Sequence, residues 1–237
     1  MNINYANSQT EINKNHYDLG LKKYLTSVYQ YISCALAVTA LISIAVASSQ
    51  ELMYTIHCSS LRWIIIFAPL MISFYLGKKL MFISQTAAQN YLMLFAASIG
   101  LSLSSLFTVF TSGSIAKIFF ISASTFGVTS VYAHNTKRNL FSSATFLVMG
   151  STGLFIAILI NCFLKSAALH FVSSAIGVLI FTTFTAYDTQ RIKLLYYQCP
   201  QHDSSSNLAI YGALALYMDF INLFIFLLQL LGIRRSD

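Results

Sequence analysis

Residues 208–231 read LAIYGALALYMDFINLFIFLLQLL, an apolar stretch about long enough to cross a bilayer once, with one acid, Asp219, near its middle. A carboxylate at bilayer depth is costly, so it faces a protein interior or a water-filled cavity and marks a functional site. Along a helix, steps of three and four residues from Asp219 meet Asn222, Phe226 and Gln229 in one direction and Ala215, Gly212 and Tyr211 in the other. One stripe therefore carries most of the polarity and the small residues of this segment. In lipid, small residues allow close helix approach and polar side chains bond across helices. The stripe is expected to face inward, and the segment to be the central helix of a bundle.

The rest of the chain has the same character. Of 237 residues 57% are hydrophobic and 9% charged, and the mean hydropathy is +0.68, where a soluble domain carries roughly 25% charged residues. The formal charge of +7 does not imply nucleic-acid binding, because lysines and arginines occur in ones and twos between apolar blocks and form no basic stripe. Cys34, Cys58, Cys162 and Cys199 show no C-x-x-C and no histidine at zinc spacing, which argues against a metal-thiolate site. They read as lone packed thiols, with a Cys58–Cys162 disulfide as the alternative.

Residues 1–20 are polar, Asn-rich and aperiodic, and are expected to form a disordered tail. Residues 21–237 are expected to form one all-α transmembrane domain, a seven-helix bundle with spans at about 24–47, 62–83, 89–110, 115–133, 144–164, 168–190 and 208–231. The first run lacks a convincing cleavage site and is kept as a helix of the mature protein. With the N-terminus in the cytoplasm, nine of the 14 basic residues fall on the inner side. An odd number of spans then puts the C-terminus outside. The Arg234–Arg235 pair argues the other way and leaves a re-entrant last segment open.

Among the seven acids, Asp188 and Asp219 alone fall inside predicted spans. Asp188 lies near the cytoplasmic end of the sixth, in FTTFTAYDTQRIK, and a single loop joins that span to the seventh. The two helices are therefore expected to be antiparallel neighbours. Asp188 would lie about 7 Å and Asp219 about 12 Å below the same surface, a difference that side chains and helix tilt can close. Two such carboxylates would share one proton and titrate in coupled steps, acting as a pH switch. A shared proton holds the helices together, whereas two charges repel or admit a cation. Carboxylates with Asn222, Tyr211 and backbone carbonyls suit a hard cation such as Ca²⁺. Against this stand plainer roles: a buried Asp219 bonded to a neighbouring hydroxyl or amide, and an Asp188 paired with Arg191 at i+3. Lys78 and Lys79 read as a cytoplasmic flank from which either could snorkel toward Asp188. Trp63 beside Arg62 reads as an interfacial anchor.

The runs AYDTQRIK at 186–193 and ALALYMDFINLFIFLLQLLG at 213–232 closely resemble the Bax inhibitor-1, or transmembrane BAX inhibitor motif, family, and the short loops suggest a bacterial member. The resemblance covers nearly the whole chain. It implies a bundle whose last helix is surrounded by the other six, and a pH-sensitive Ca²⁺ leak in the inner membrane gated by an aspartate pair that falls on Asp188 and Asp219. Bacterial relatives place an arginine at the cytoplasmic end of the second span, where it latches the first of these acids. Here FYLGKKL, residues 74–80, offers Lys78 and Lys79 instead. Lysine lacks the bidentate bond of arginine, which implies a weaker or missing latch. The alternative is a regulator that docks other membrane proteins, such as a quality-control protease. No enzyme activity and no cofactor are expected beyond calcium as the transported ion. An intramembrane aspartyl protease would need G-x-G-D, and Leu216, Tyr217 and Met218 precede Asp219.

Overall fold

A computed structural model describes the backbone of residues 2–235 except 60, 81, 137 and 199–204. Side chains are described from Leu19 onward, apart from those of 57, 58, 61, 66, 76, 78, 205 and 206. The described residues are helical, with one isolated bridge between Phe110 and Arg234. In chain order the helices are α1 (Asn2–Ala47), α2 (Gln50–Cys58), α3 (Leu61–Lys79), α4 (Gln85–Leu103), α5 (Leu106–Val109), α6 (Ser112–Asn135), α7 (Ala144–Leu164), α8 (Ala167–Gln198) and α9 (Ser205–Leu231). A 3₁₀ turn, Leu140–Ser143, leads into α7.

Six segments are long and apolar enough to cross a membrane: Leu19–Ala47, Gln85–Val109, Ser112–Asn135, Leu140–Leu164, Ala167–Gln198 and Asn207–Leu231. The second expected span, 62–83, corresponds to α3, whose apolar part Arg62–Tyr75 is shorter. Pro69 lies inside α3 and withdraws one backbone donor there. α1 carries helical backbone from Asn2. No proline interrupts residues 2–20, so helix can propagate back from the apolar run without a stop. The first loop holds a helix the sequence pattern did not announce. The Ser49 hydroxyl accepts from Leu52 N–H, which caps α2, and Glu51 sits in its first turn where the helix dipole favours an acid.

Side-chain contacts order the bundle between two ends. At the near end α1 enters its span, α8 finishes and α9 starts: Tyr24 donates to the Leu208 carbonyl at 3.4 Å and its ring lies 5.1 Å from that of Tyr196. At the far end, Thr111 N–H bonds the Ile233 carbonyl at 3.1 Å and Arg235 N–H bonds the Val109 carbonyl at 2.9 Å. The C-terminal residues are thus seated on the α5–α6 connection, one full helix length from the start of α9. This puts the entry of the first span and the C-terminus at opposite ends of the bundle. Between the two, α3 runs opposite to α4, with Ser102 donating to the Ile65 carbonyl at the far end and Tyr75 against Tyr91 toward the near end.

The main packing partners of α9 are α1, α4, α6 and α8, while α3 packs on α4 and α7 on α8. In its membrane-length window 56% of residues are buried, against 11–33% in the other five. Burial does not follow the expected stripe: Gly212, Asp219 and Phe226 are buried but Tyr211, Ala215, Asn222 and Gln229 are half-buried, while Leu216, Tyr217, Leu223 and Leu228 on other faces are fully enclosed. Close approach comes from small residues. A Cβ on Gly100 would meet the Thr39 carbonyl at 2.8 Å, and one on Gly177 would meet the Phe226 ring at 2.5 Å. Cys34 and Cys162 are free thiols, exposed on their helices and not packed, while the side chain of Cys58 and the whole of Cys199 lie outside the described residues.

Candidate functional site

The site is built from α8 and α9, which lie antiparallel. Four contacts set their register: Ser174 donates to Gln229 Oε1 at 3.3 Å, Gly177 abuts Phe226, Arg191 Nη2 donates to the Tyr211 hydroxyl at 3.1 Å, and Ile192 abuts Gly212. In this register Asp188 is level with Ala215, one turn, about 5 Å, from Asp219. Gly212 allows the approach, since a Cβ there would sit 2.9 Å from the Ile192 side chain.

Both acids are removed from the surface, Asp188 at 8% and Asp219 at 5% exposure. Their carboxylates lie within electrostatic reach of one another. They differ in what satisfies them. Asp188 Oδ1 lies 3.6 Å from Nη1 of Arg191, one turn further along α8. Asp219 Oδ2 is buried and makes no hydrogen bond. Buried carboxylate oxygens are as a rule paired, so an orphaned one is an exception that calls for an explanation.

Arg191 is the hinge of the arrangement. One nitrogen faces Asp188 and the other bonds Tyr211, with the guanidinium 5.9 Å from the centre of the Tyr211 ring, so a single side chain ties α8 to α9. The cation beside Asp188 comes from its own helix, and the second-span lysines are not needed to supply one. Lys79 lies 5.4 Å over the Tyr75 ring, while the Lys78 side chain lies outside the described residues. Asn222 is half-buried and turns its amide back onto α9, donating to the Met218 carbonyl at 2.8 Å. Among the described residues no three His, Cys, Asp or Glu side chains converge as a metal site.

Two polar features near the acids carried no sequence signal that stood out. Tyr217, fully buried, shares a hydrogen bond of 2.7 Å with Thr39 of α1, whose hydroxyl also lies 3.0 Å from the Ala96 carbonyl of α4. This fastens three helices two residues, about 3 Å along the axis, from Asp219. Tyr29 of α1 turns its hydroxyl toward Thr189 of α8 and Ser130 of α6. Single Thr, Tyr and Ser residues recur along every span, so spacing alone could not select these.

A family model described as "Inhibitor of apoptosis-promoting Bax1" matches residues 21–236. Uncharacterized protein RP147 of Rickettsia prowazekii is 39% identical over 235 residues, covering 99% of this chain and 100% of that protein. Inner membrane protein YbhL of Escherichia coli K12 is 38% identical over 219 residues, 91% of this chain and 94% of YbhL. A Caulobacter vibrioides protein is 35% identical, covering 92% of each. The match spans every helix from the first span to the C-terminal residues, both acids included, and the chain belongs to the Bax inhibitor-1 family of multi-pass membrane proteins.

Proposed function

We propose that the protein is a passive, proton-regulated Ca²⁺ leak in which Asp188 and Asp219 form the gate and Arg191 holds it. The observation that carries this is the orphaned Asp219 oxygen, buried within reach of a second carboxylate. With one proton between them the acids bond and α8 stays against α9. With both ionised they repel, or a cation lies between them. Two carboxylates supply few of the six to eight oxygens that Ca²⁺ prefers, which suits an ion in transit with its own water better than a resident one. The guanidinium beside Asp188 must swing aside before a cation enters, so Arg191 takes the part of the latch. By analogy with YbhL and by the excess of basic residues on one side, we assign the chain to the inner membrane with its N-terminus in the cytoplasm.

The deciding experiment is Ca²⁺ influx into dye-loaded liposomes holding the purified protein, scanned from about pH 8 to about pH 5 to span carboxyl titration in a buried site. A flux above empty liposomes that varies with pH in the wild type and is flat in Asp219→Asn supports the gate. Unchanged pH dependence in that variant removes Asp219 from it. No flux at all would favour a regulator that docks other membrane proteins.

A further inference from the structure

A cavity of about 700 Å³ opens between α1, α6 and α8 at the near end of the bundle. It lies within the size range of small-molecule sites, and nothing in the proposed gate uses it. Its mouth is basic. Lys22 from the first turn of the α1 span, Lys193 from the end of α8 and His134 from the last turn of α6 line it, and no acid does among the described residues. Lys193 Nζ has a weak bond, 3.5 Å, to the His134 carbonyl and no carboxylate partner among the described residues, Asp188 being taken by Arg191.

The depth has a different chemistry. From Lys22 to Tyr29 the α1 wall descends about 10 Å. Leu25, Val131 and Gly127 line the descent, and a Cβ on Gly127 would meet nothing within 4 Å. Ser130 lies there at 3% exposure, its hydroxyl making no hydrogen bond although Tyr29 is turned toward it. A buried, unbonded hydroxyl below two lysines calls for an amphipathic ligand: an anion at the mouth, an oxygen acceptor one or two turns deeper, and apolar matter beyond. At the end of a transmembrane bundle that order matches the phosphate, ester and acyl layers of a lipid, and basic pockets between transmembrane helices suit anionic head groups.

We propose that this cavity binds an acidic phospholipid, with its phosphate between Lys22 and Lys193, an ester oxygen accepting from Ser130, and its acyl chain running past Leu25 and Gly127. Full-length protein, delipidated in neutral detergent, is titrated with phosphatidylglycerol or phosphatidylcholine and bound lipid is read by native mass spectrometry. Phosphatidylglycerol is expected to bind preferentially, with affinity falling roughly fivefold per lysine removed, so about 25-fold in Lys22→Gln/Lys193→Gln. Lys165→Gln, at the opposite end of the bundle, leaves it unchanged. Gly127→Leu fills the depth and weakens phosphatidylglycerol while both lysines remain. Equal binding of the two lipids, or wild-type affinity in the double variant, overturns the proposal. Displacement of phosphatidylglycerol by millimolar inorganic phosphate would make this a site for free anions and overturn the lipid assignment.

Discussion

Asp219 and Asp188 are equally acidic in solution and are made different by their neighbours. Asp188 has a guanidinium 3.6 Å away and Asp219 has an oxygen with no partner. Asp219→Asn replaces that oxygen by an amide, removes one of two like charges and is expected to leave the fold intact, with unfolding temperature unchanged or higher and the pH dependence of flux lost. Arg191→Gln separates the two jobs of the arginine. Its head is 42% exposed, so its ion pair contributes only about 0–1 kcal/mol, and thermal unfolding in detergent should move little. Ca²⁺ flux at fixed pH should rise, because the latch on Asp188 is gone. A variant that unfolds early with unchanged flux would mean that Arg191 is structural only. Tyr217→Phe removes one buried hydrogen bond and keeps the ring against Phe95, a loss of roughly 1 kcal/mol in stability by detergent-phase unfolding.

Between helices, the tight crossings rest on hydrogen in place of a side chain. Ala96 and Gly100 present a small surface to α1, and the Thr39 and Ser43 hydroxyls bond their carbonyls at 3.0 and 2.8 Å. Gly100→Leu would drive a side chain into the Thr39 backbone, with a destabilisation of roughly 1–3 kcal/mol or failure to assemble, seen as early elution with aggregate on gel filtration. Gly153→Leu is the matched control, since a Cβ there meets nothing within 4 Å and α7 is the most lipid-facing span. The small-x-x-x-small spacing of Ala96 and Gly100 stands in plain view in AASIG, but Ser, Ala and Gly are scattered through all the spans, and nothing local says which pair meets a neighbour.

Across the whole molecule, α9 packs against α1, α4, α6 and α8 and the C-terminal residues are pinned on the α5–α6 connection. Reporter tags on the two sides of the bundle, one beside Lys22 and one after Asp237, should be labelled by an impermeant reagent from opposite faces of a sealed vesicle. Labelling from the same face would mean that the last segment is re-entrant. Fold class, the positions of six long spans, the two intramembrane acids and the family were all legible along the chain. Each rests on a property counted residue by residue: apolar length for a span, the cost of a charge in lipid for an acid, and the runs around Asp188 and Asp219 for kinship. Other matters depend on which surface meets which. These include the packing of α9 against four other helices, the ion pair of Asp188 with Arg191, the orphaned oxygen of Asp219, and the cavity under Lys22 and Lys193. In lipid every helix already has its backbone satisfied and its apolar side chains solvated, so sequence determines that a segment crosses and hardly constrains its neighbours. Packing of small residues and the few buried polar contacts select those neighbours, and they exist only once the helices have met.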